Sequence, residues 1–196
     1  MELDEKTFML VKKAIQKKDS VYFTTKNVPI TFQTRIIAQT KNHFTVFNAV
    51  SPEYIKAIMD SKNYFLQIST HRFHCEKIES DGEHILFPIK HASLLKDIRQ
   101  EQRFSFSDDQ KVFCEILNPY DMQTILRKPV IDLSASGVSI RNYFESELFK
   151  AKTHLPEIKI LIDNAEHTSH SGEIIYIRKL MNLKREKSIQ VGIKFF

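Results

Sequence analysis

Apolar residues recur along the chain with two different periods, and the first of these is the period of a helix. Over residues 4–18, Phe8, Val11 and Ile15 fall at positions i, i+3 and i+7, on one helical face. Acidic residues open this segment and lysines close it, as the helix dipole favours. The pattern predicts an amphipathic N-terminal helix. It leaves open whether the helix packs on its own domain or contacts another molecule.

From residue 20 onward, apolar residues alternate with polar ones, as they do in β-strands. These segments are rich in β-branched and aromatic residues, and polar breaks such as Lys41-Asn42 separate them. In the first half of the chain the predicted strands are residues 21–25, 30–39, 43–50, 64–70, 72–78 and 85–89. The turn at Asp81-Gly82 predicts a hairpin between the last two of them.

One helix is predicted among these strands. Ser51 is placed as its N-cap and Pro52 in its first turn, where a proline costs no hydrogen bond. The apolar face of this helix is predicted to consist of Tyr54, Ile55, Ile58 and Met59.

The second half of the chain is also rich in strand patterns. The predicted strands are residues 104–106, 111–117, 124–133, 138–143, 157–162, 173–180 and 189–195. A short helix is predicted at residues 144–152, where Leu148 and Phe149 stand among charged residues. Many short strands with few helices are typical of small barrels. We therefore predict a mainly β protein with two small β-barrel domains, the first of them split-barrel-like, and a few helices.

Composition and charge narrow the classes of function. The 196 residues suffice for one large domain or two small ones with their own cores. The net charge of +5 is evenly spread, because residues 1–98 carry 14 Lys and Arg against 11 Asp and Glu, and residues 99–196 carry 15 against 13. Because no arm of the chain is strongly basic, we expect no nucleic-acid polymer as a partner.

Three features of the sequence indicate the cellular compartment of the protein. Its apolar runs are too short to span a bilayer, so membrane insertion is not expected. Its N-terminal residues are charged and do not resemble a signal peptide. Cys75 and Cys114 match neither a disulfide framework nor a metal site, which suits a reducing compartment. We predict a cytoplasmic protein.

Two short motifs carry the candidate chemistry. Arg99 and Arg103 supply two permanently charged, planar guanidinium groups that can bind one anion or one guanine edge. Farther along, Asp132, Ser134 and Gly137 follow a strand–turn–strand pattern. They offer a carboxylate, a hydroxyl and a position where a ligand or another backbone can approach closely. Each motif alone also has an ordinary explanation, because solvated arginine pairs and Asp/Ser turns are common.

Together, RxxxR and DxSxxG resemble the signature of the PilZ domain, the bacterial receptor module for cyclic di-GMP. Residues 191–195, Val-Gly-Ile-Lys-Phe, also resemble the closing strand of that domain. The resemblance implies a six-stranded PilZ barrel over residues 96–196, with cyclic di-GMP as its ligand. The residues that the resemblance assigns to this ligand are Arg99, Arg103, Asp132, Ser134 and Gly137.

The resemblance assigns the two arginines to the bases and phosphates of the ligand. Guanine presents O6 and N7 to an arginine fork, and each cyclic di-GMP carries two phosphodiester charges. Asp132 is a candidate acceptor for the N1–H and exocyclic amine of guanine, which would select guanine over adenine. Gly137 is expected to have a backbone role, either a positive φ angle or room for the ligand.

Residues 1–95 resemble, in the order of their elements, the N-terminal domain of flagellar-brake-like proteins. Residues 88–95 are then expected to be a linker, with Arg99 opening the second domain. Ligand binding beside this linker is expected to change the arrangement of the two domains and to signal to a protein partner, with motility or surface behaviour as the controlled process. Many members of the family have a C-terminal helix after the barrel, and the sequence departs from that pattern because no such helix is expected here. The oligomeric state stays open.

We expect a receptor rather than an enzyme, since the sequence contains no nucleophile motif, P-loop or dinucleotide glycine pattern. Histidine clusters at residues 71–74 and 167–170 lack further ligands, so neither a metal nor a cofactor is expected. One alternative is a PilZ-type scaffold that acts through protein contacts without a ligand. Another is a barrel that binds single-stranded nucleic acid, which would need a basic groove with interleaved aromatic residues.

Overall fold

The computed structural model describes residues 5–40, 42–68, 71–88, 92–95, 101, 103–106, 110–144 and 147–196. The chain forms two compact units. Unit 1 contains residues 1–98 together with 180–187, and unit 2 contains residues 99–179 together with 188–196. The predicted position of the domain boundary stays a prediction. The structure adds that a short segment near the C-terminus groups with unit 1.

Unit 1 is built from antiparallel strands and two helices among the described residues. The helices are α1 (Glu5–Lys17) and α2 (Pro52–Met59). The strands are β1 (Ser20–Thr25), β2 (Ile30–Gln39), β3 (His43–Phe47), β4 (Tyr64–Ile68), β5 (His71–Cys75), β6 (Glu79–Ser80), β7 (His84–Pro88) and β8 (Ala92–Leu95). They pair in the order β8-β5-β4-β1-β2-β3-β7-β6. Neither helix is long and apolar enough to cross a membrane.

The sheet of unit 1 bends so that its two halves pack face to face. The ring of Phe23 on β1 lies 5.5 Å from that of Phe87 on β7, measured between centroids. In the same way Phe44 on β3 lies 5.6 Å from Phe73 on β5. Because successive strand residues point to opposite faces, these alternate apolar residues collect in one core. A bent sheet around a single core is the split-barrel architecture that the sequence predicted.

Each of the two helices buries only part of its predicted apolar face. In α1, Val11 is completely buried, whereas Phe8 is 43% exposed. In α2, Ile58 is buried, but Ile55 and Met59 are exposed. A helix that packs on a sheet buries a limited stripe, so apolar residues at the edge of that stripe stay accessible to solvent.

Two strand pairings in unit 1 differ from the prediction. The expectation of an irregular linker at residues 88–95 is wrong for Ala92–Leu95, which forms β8 and pairs with β5. The hairpin around Gly82, whose φ is +97°, joins β7 to the short strand Glu79–Ser80 and not to β5. In both cases the free edge of a neighbouring strand selects the partner through backbone hydrogen bonds, which the local sequence does not encode.

In its described residues, unit 2 is a closed ring of six antiparallel strands with a short additional strand. Its strands are β9 (Phe104–Ser105), β10 (Val112–Leu117), β11 (Ile125–Ser134), β12 (Gly137–Asn142), β13 (His154–Ile162), β14 (Ala165–Met181) and β15 (Lys187–Phe195). The last two residues of β14 and the first of β15 group with unit 1. The ring runs β13-β10-β11-β12-β15-β14 and closes through the pairing of β14 with β13. Alternate side chains fill its interior, so the predicted six-stranded barrel is confirmed.

Two segments of unit 2 differ from their predicted structure. Strand β14 begins well before the predicted residue 173, because its polar first part pairs with β13. The helix predicted at residues 144–152 is wrong for the described part of that segment, which forms turns. Lys152 has a φ of +69°, which a right-handed helix does not allow, and Phe149 is buried in the barrel core.

Candidate binding site

The DxSxxG motif forms a tight hairpin at one end of the barrel. Strands β11 and β12 pair Ser134 with Gly137, so that only Ala135 and Ser136 make the turn. On its other side β11 pairs with β9, which places Ser105 opposite Asp132. Since Arg103 directly precedes β9, this pairing brings the second arginine of RxxxR to the hairpin.

Arg103 and Asp132 form an ion pair. The Nη1 atom of Arg103 donates a hydrogen bond of 3.0 Å to Oδ1 of Asp132, and their side chains are 32% and 14% exposed. Partial burial disfavours the charge on Arg103, but Asp132 and the phenol of Tyr176 outweigh this effect and raise the pKa of Arg103 above its ordinary value. The guanidinium therefore has a fixed orientation and a permanent charge.

Two residues that sequence reasoning missed hold the other oxygen of Asp132. The hydroxyl of Ser139 donates a hydrogen bond of 2.6 Å to Oδ2, and Gln190 donates to the same oxygen at 3.4 Å. Gln190 also donates to the Ser139 hydroxyl at 2.9 Å. The hairpin register could have indicated Ser139, because it lies directly opposite Asp132. No local signal indicated Gln190 on β15.

The hairpin borders a cleft of about 150 Å³ in unit 2. The residues of its wall that bear on binding are Arg103, Ser134, Ser136, Gly137, Tyr176 and Lys194. Three of the five predicted ligand-binding residues therefore share one cleft. Asp132 contacts Arg103 but is not part of the cleft wall, and Arg99 lies outside the described residues.

Two glycines bring the walls of this cleft together. A Cβ atom on Gly137 would lie 2.3 Å from the carbonyl oxygen of Ile193 on β15, and Gly137 does not have a positive φ. A Cβ atom on Gly192 would lie 2.1 Å from the ring of Tyr176. Of the two roles expected for Gly137, the positive φ is therefore wrong. Its Cβ position is taken by the neighbouring strand.

The hairpin also contains two hydrogen-bond donors, and their residues, Ser134 and Ser136, belong to the cleft wall. The backbone N–H of Ser136 donates a hydrogen bond of 2.9 Å to Oε2 of Glu101, which lies inside the RxxxR motif. The hydroxyl of Ser134 lies 3.3 Å from the carbonyl oxygen of Gly137. A cationic wall with amide and hydroxyl donors is suited to an anionic ligand. Among the described residues, no group of three or more His, Cys, Asp or Glu side chains is arranged to bind a metal.

Comparison with known proteins bears on the fold. No family model and no curated protein matches the sequence. The structure is similar to that of the K. pneumonia MrkH–c-di-GMP complex, with a TM-score of 0.71, 10% identity, and coverage of 100% of this chain and 87% of that one. The chain has the fold of MrkH.

Two further structures agree with this assignment. One is a second structure of MrkH, a protein described as a c-di-GMP-dependent transcription regulatory factor. Its TM-score is 0.63, with 12% identity and coverage of 100% of this chain and 84% of that one. The other is Escherichia coli YcgR in complex with c-di-GMP, with a TM-score of 0.53 and 12% identity over 96% and 80%. The predicted resemblance to PilZ-domain proteins is thereby confirmed for the fold, and we call unit 2 the PilZ-type barrel.

Proposed function

We propose that this protein is a bacterial receptor for cyclic di-GMP and not an enzyme. One observation carries the proposal: Arg103 is fixed by Asp132 at a cleft of the PilZ-type barrel that Lys194 also lines. MrkH and YcgR, which share the fold, have structures in complex with the same dinucleotide. The two sequence motifs, the cleft and the fold therefore support one ligand.

The cleft offers the chemistry that this ligand needs. Arg103 presents a planar fork to O6 and N7 of guanine, and Lys194 adds a second positive charge for a phosphodiester. Arg99 is assigned the same kind of contact from the RxxxR motif. The volume of about 150 Å³ suits part of a dinucleotide and not the whole, so the remainder would lie outside this cleft.

Asp132 is proposed to act in two ways. Its carboxylate orients Arg103, because Oδ1 accepts the guanidinium hydrogen bond. Carboxylate oxygens have spare lone pairs, so the same group can also accept from the guanine N1–H. Ser134 and Gly137 complete the proposed contacts through the hydroxyl and the closely packed backbone of the hairpin.

We propose that binding changes the arrangement of the two domains and passes the signal to a protein partner in the cytoplasm. Arg99 and Arg103 lie at the start of the second domain, so a ligand that holds both restricts the chain between the domains. The even charge distribution favours a protein partner over a nucleic-acid polymer. The transcription regulatory role of MrkH is a property of that protein.

Isothermal titration calorimetry of the full chain with cyclic di-GMP tests the proposal and measures the stoichiometry. Linear pGpG and cyclic di-AMP serve as matched controls, and we expect neither to bind in the same concentration range. Absence of heat and of a thermal shift with cyclic di-GMP well above micromolar concentration would favour the ligand-independent scaffold. A parallel titration with duplex and single-stranded DNA checks the expected absence of nucleic-acid binding.

A further inference from the structure

A carboxylate of the chain itself occupies the hairpin turn beside the cleft. Oε2 of Glu101 accepts a hydrogen bond of 2.9 Å from the backbone N–H of Ser136. Glu101 stands between the two arginines of RxxxR, and its side chain lies on the surface of the protein. The contact therefore joins the two motifs that we propose to bind the ligand.

The environment of Glu101 favours its ionised form. Hydrogen bonds from the hydroxyl and the amide of Ser136, aided by Ser134 and by the charge of Arg103, lower the pKa of Glu101 below its ordinary value. The carboxylate is thus an anion at neutral pH, and the hydrogen bond from the Ser136 amide joins it to the cleft wall.

These donors are the ones that an anionic ligand of the cleft would use. Arg103, Ser134 and Ser136 all belong to the cleft wall. A phosphodiester oxygen and a carboxylate oxygen seek the same N–H and O–H donors, and two like charges at one set of donors repel each other. Glu101 and a phosphate of the ligand cannot both use the Ser136 amide.

We propose that Glu101 is an internal competitor of the ligand, whose carboxylate occupies anion-binding donors of the cleft until the dinucleotide displaces it. This inference rests on the proposed function, because the competing anion is a phosphodiester of cyclic di-GMP. The apparent affinity then equals the intrinsic affinity multiplied by the fraction of molecules in which the donors are free. For a contact as exposed as this one, the expected effect is roughly two- to fivefold.

Calorimetric titration of cyclic di-GMP into the wild type, Glu101→Gln and Glu101→Ala tests the proposal. We expect both variants to bind more tightly than the wild type, by roughly two- to fivefold. Glu147→Gln is the matched control, because it removes the same charge from an exposed side chain that is paired with Lys150. The control is expected to keep the wild-type affinity.

The outcomes separate this inference from the proposed function. If the wild type binds no cyclic di-GMP, the proposed function fails and the competition fails with it. If the wild type binds but both Glu101 variants bind equally well or more weakly, the receptor proposal survives and the competition is overturned. A change equal to that of Glu147→Gln also overturns it, because it would reflect net charge alone.

Nuclear magnetic resonance supplies a readout that needs no ligand. In the wild type, the Ser136 amide proton is expected to shift as Glu101 is protonated, at a pH below the ordinary value for a glutamate. Glu101→Gln should abolish this titration. A Ser136 amide that does not respond to acid in the wild type would overturn the proposal, since the contact would then be absent in solution.

Discussion

Arg103 and Asp132 stand 29 residues apart in the sequence, and a hydrogen bond of 3.0 Å joins their side chains. The carboxylate that fixes the guanidinium is itself held by Ser139 and Gln190 from two neighbouring strands. An arginine held in this way loses less side-chain freedom when it binds a planar partner. The ion pair therefore links the barrel framework to the proposed ligand contact.

Replacing Arg103 by alanine is expected to lower the affinity for cyclic di-GMP about 10- to 100-fold, the usual range for one bidentate guanine contact. The unfolding midpoint should change little, because Asp132 keeps hydrogen bonds from Ser139 and Gln190. Calorimetry and thermal unfolding measure the two effects. Arg35→Ala, at an exposed arginine on β2, is the control. Normal binding by Arg103→Ala would contradict the proposed clamp.

Arg99 is expected to contribute a similar amount, because the resemblance of RxxxR to the PilZ motif assigns both guanidinium groups to the ligand. Arg99→Ala should lower the affinity about tenfold or more. The neighbouring Gln100→Ala should bind like the wild type, since the motif leaves that position free. Equal affinities for both variants in the same titration would show that only one arginine contacts the ligand.

Ser139→Ala tests the support behind the ion pair. Ser139 is buried and donates to a charged carboxylate, so its removal is expected to lower the free energy of unfolding by roughly 1–3 kcal/mol. Ligand affinity should also fall, because Asp132 loses a donor that holds it in place. Urea denaturation and calorimetry measure the two changes. Ser169→Ala, at an exposed serine on β14, should change neither.

Gly137→Ala tests the close approach of two strands. The new Cβ would lie 2.3 Å from the Ile193 carbonyl oxygen, so the backbone of β12 or β15 must move. The expected cost is roughly 1–3 kcal/mol in the free energy of unfolding, as for other overpacked sites. Ala135→Ser adds one atom at an exposed position of the same turn and should be neutral. Equal stability of the two variants would show that the glycine is not needed for packing.

The proposed output is tested by distances between labels on the two units. Cysteines introduced by Lys56→Cys and Gln123→Cys lie at exposed positions of unit 1 and unit 2, whereas Cys75 and Cys114 are buried. Cyclic di-GMP is expected to change the distribution of distances between the labels. The change should be absent when Arg103→Ala is added. Identical distributions with and without ligand would mean that binding is not transmitted between the units.

Elements with a strong local pattern were predictable from the sequence. Helix α2 begins at Pro52 after Ser51 because proline suits the first turn, and the turn at Gly82 needs a positive φ that glycine tolerates. The hairpin between Ser134 and Gly137 follows from two apolar strands around a short polar turn. In each case the physical cause lies within a few residues of the element.

Pairing between distant segments was not predictable in the same way. Strand β8 and the polar first part of β14 form because β5 and β13 offer open backbone edges. Backbone hydrogen bonds carry no side-chain signature, so a weakly patterned segment becomes a strand only when a partner is present. The helix predicted at residues 144–152 is an error of the opposite kind, because a regular element was predicted where the described residues form turns. Burial of Phe149 in the barrel core outweighs the local helix preference.

The sequence by itself determined the chemical groups of the candidate site, since RxxxR and DxSxxG specify two guanidinium groups, a carboxylate, a hydroxyl and a glycine. Only the tertiary structure decided their relationship. The pairing of β9 with β11 joins Arg103 to Asp132, and the closure of the barrel brings Tyr176 and Lys194 to the same cleft. The tertiary structure also decided that the Glu101 carboxylate accepts a hydrogen bond from the Ser136 amide in the hairpin turn. Such contacts depend on the register between strands far apart in sequence, and that register is set by burial of whole strand faces in one core.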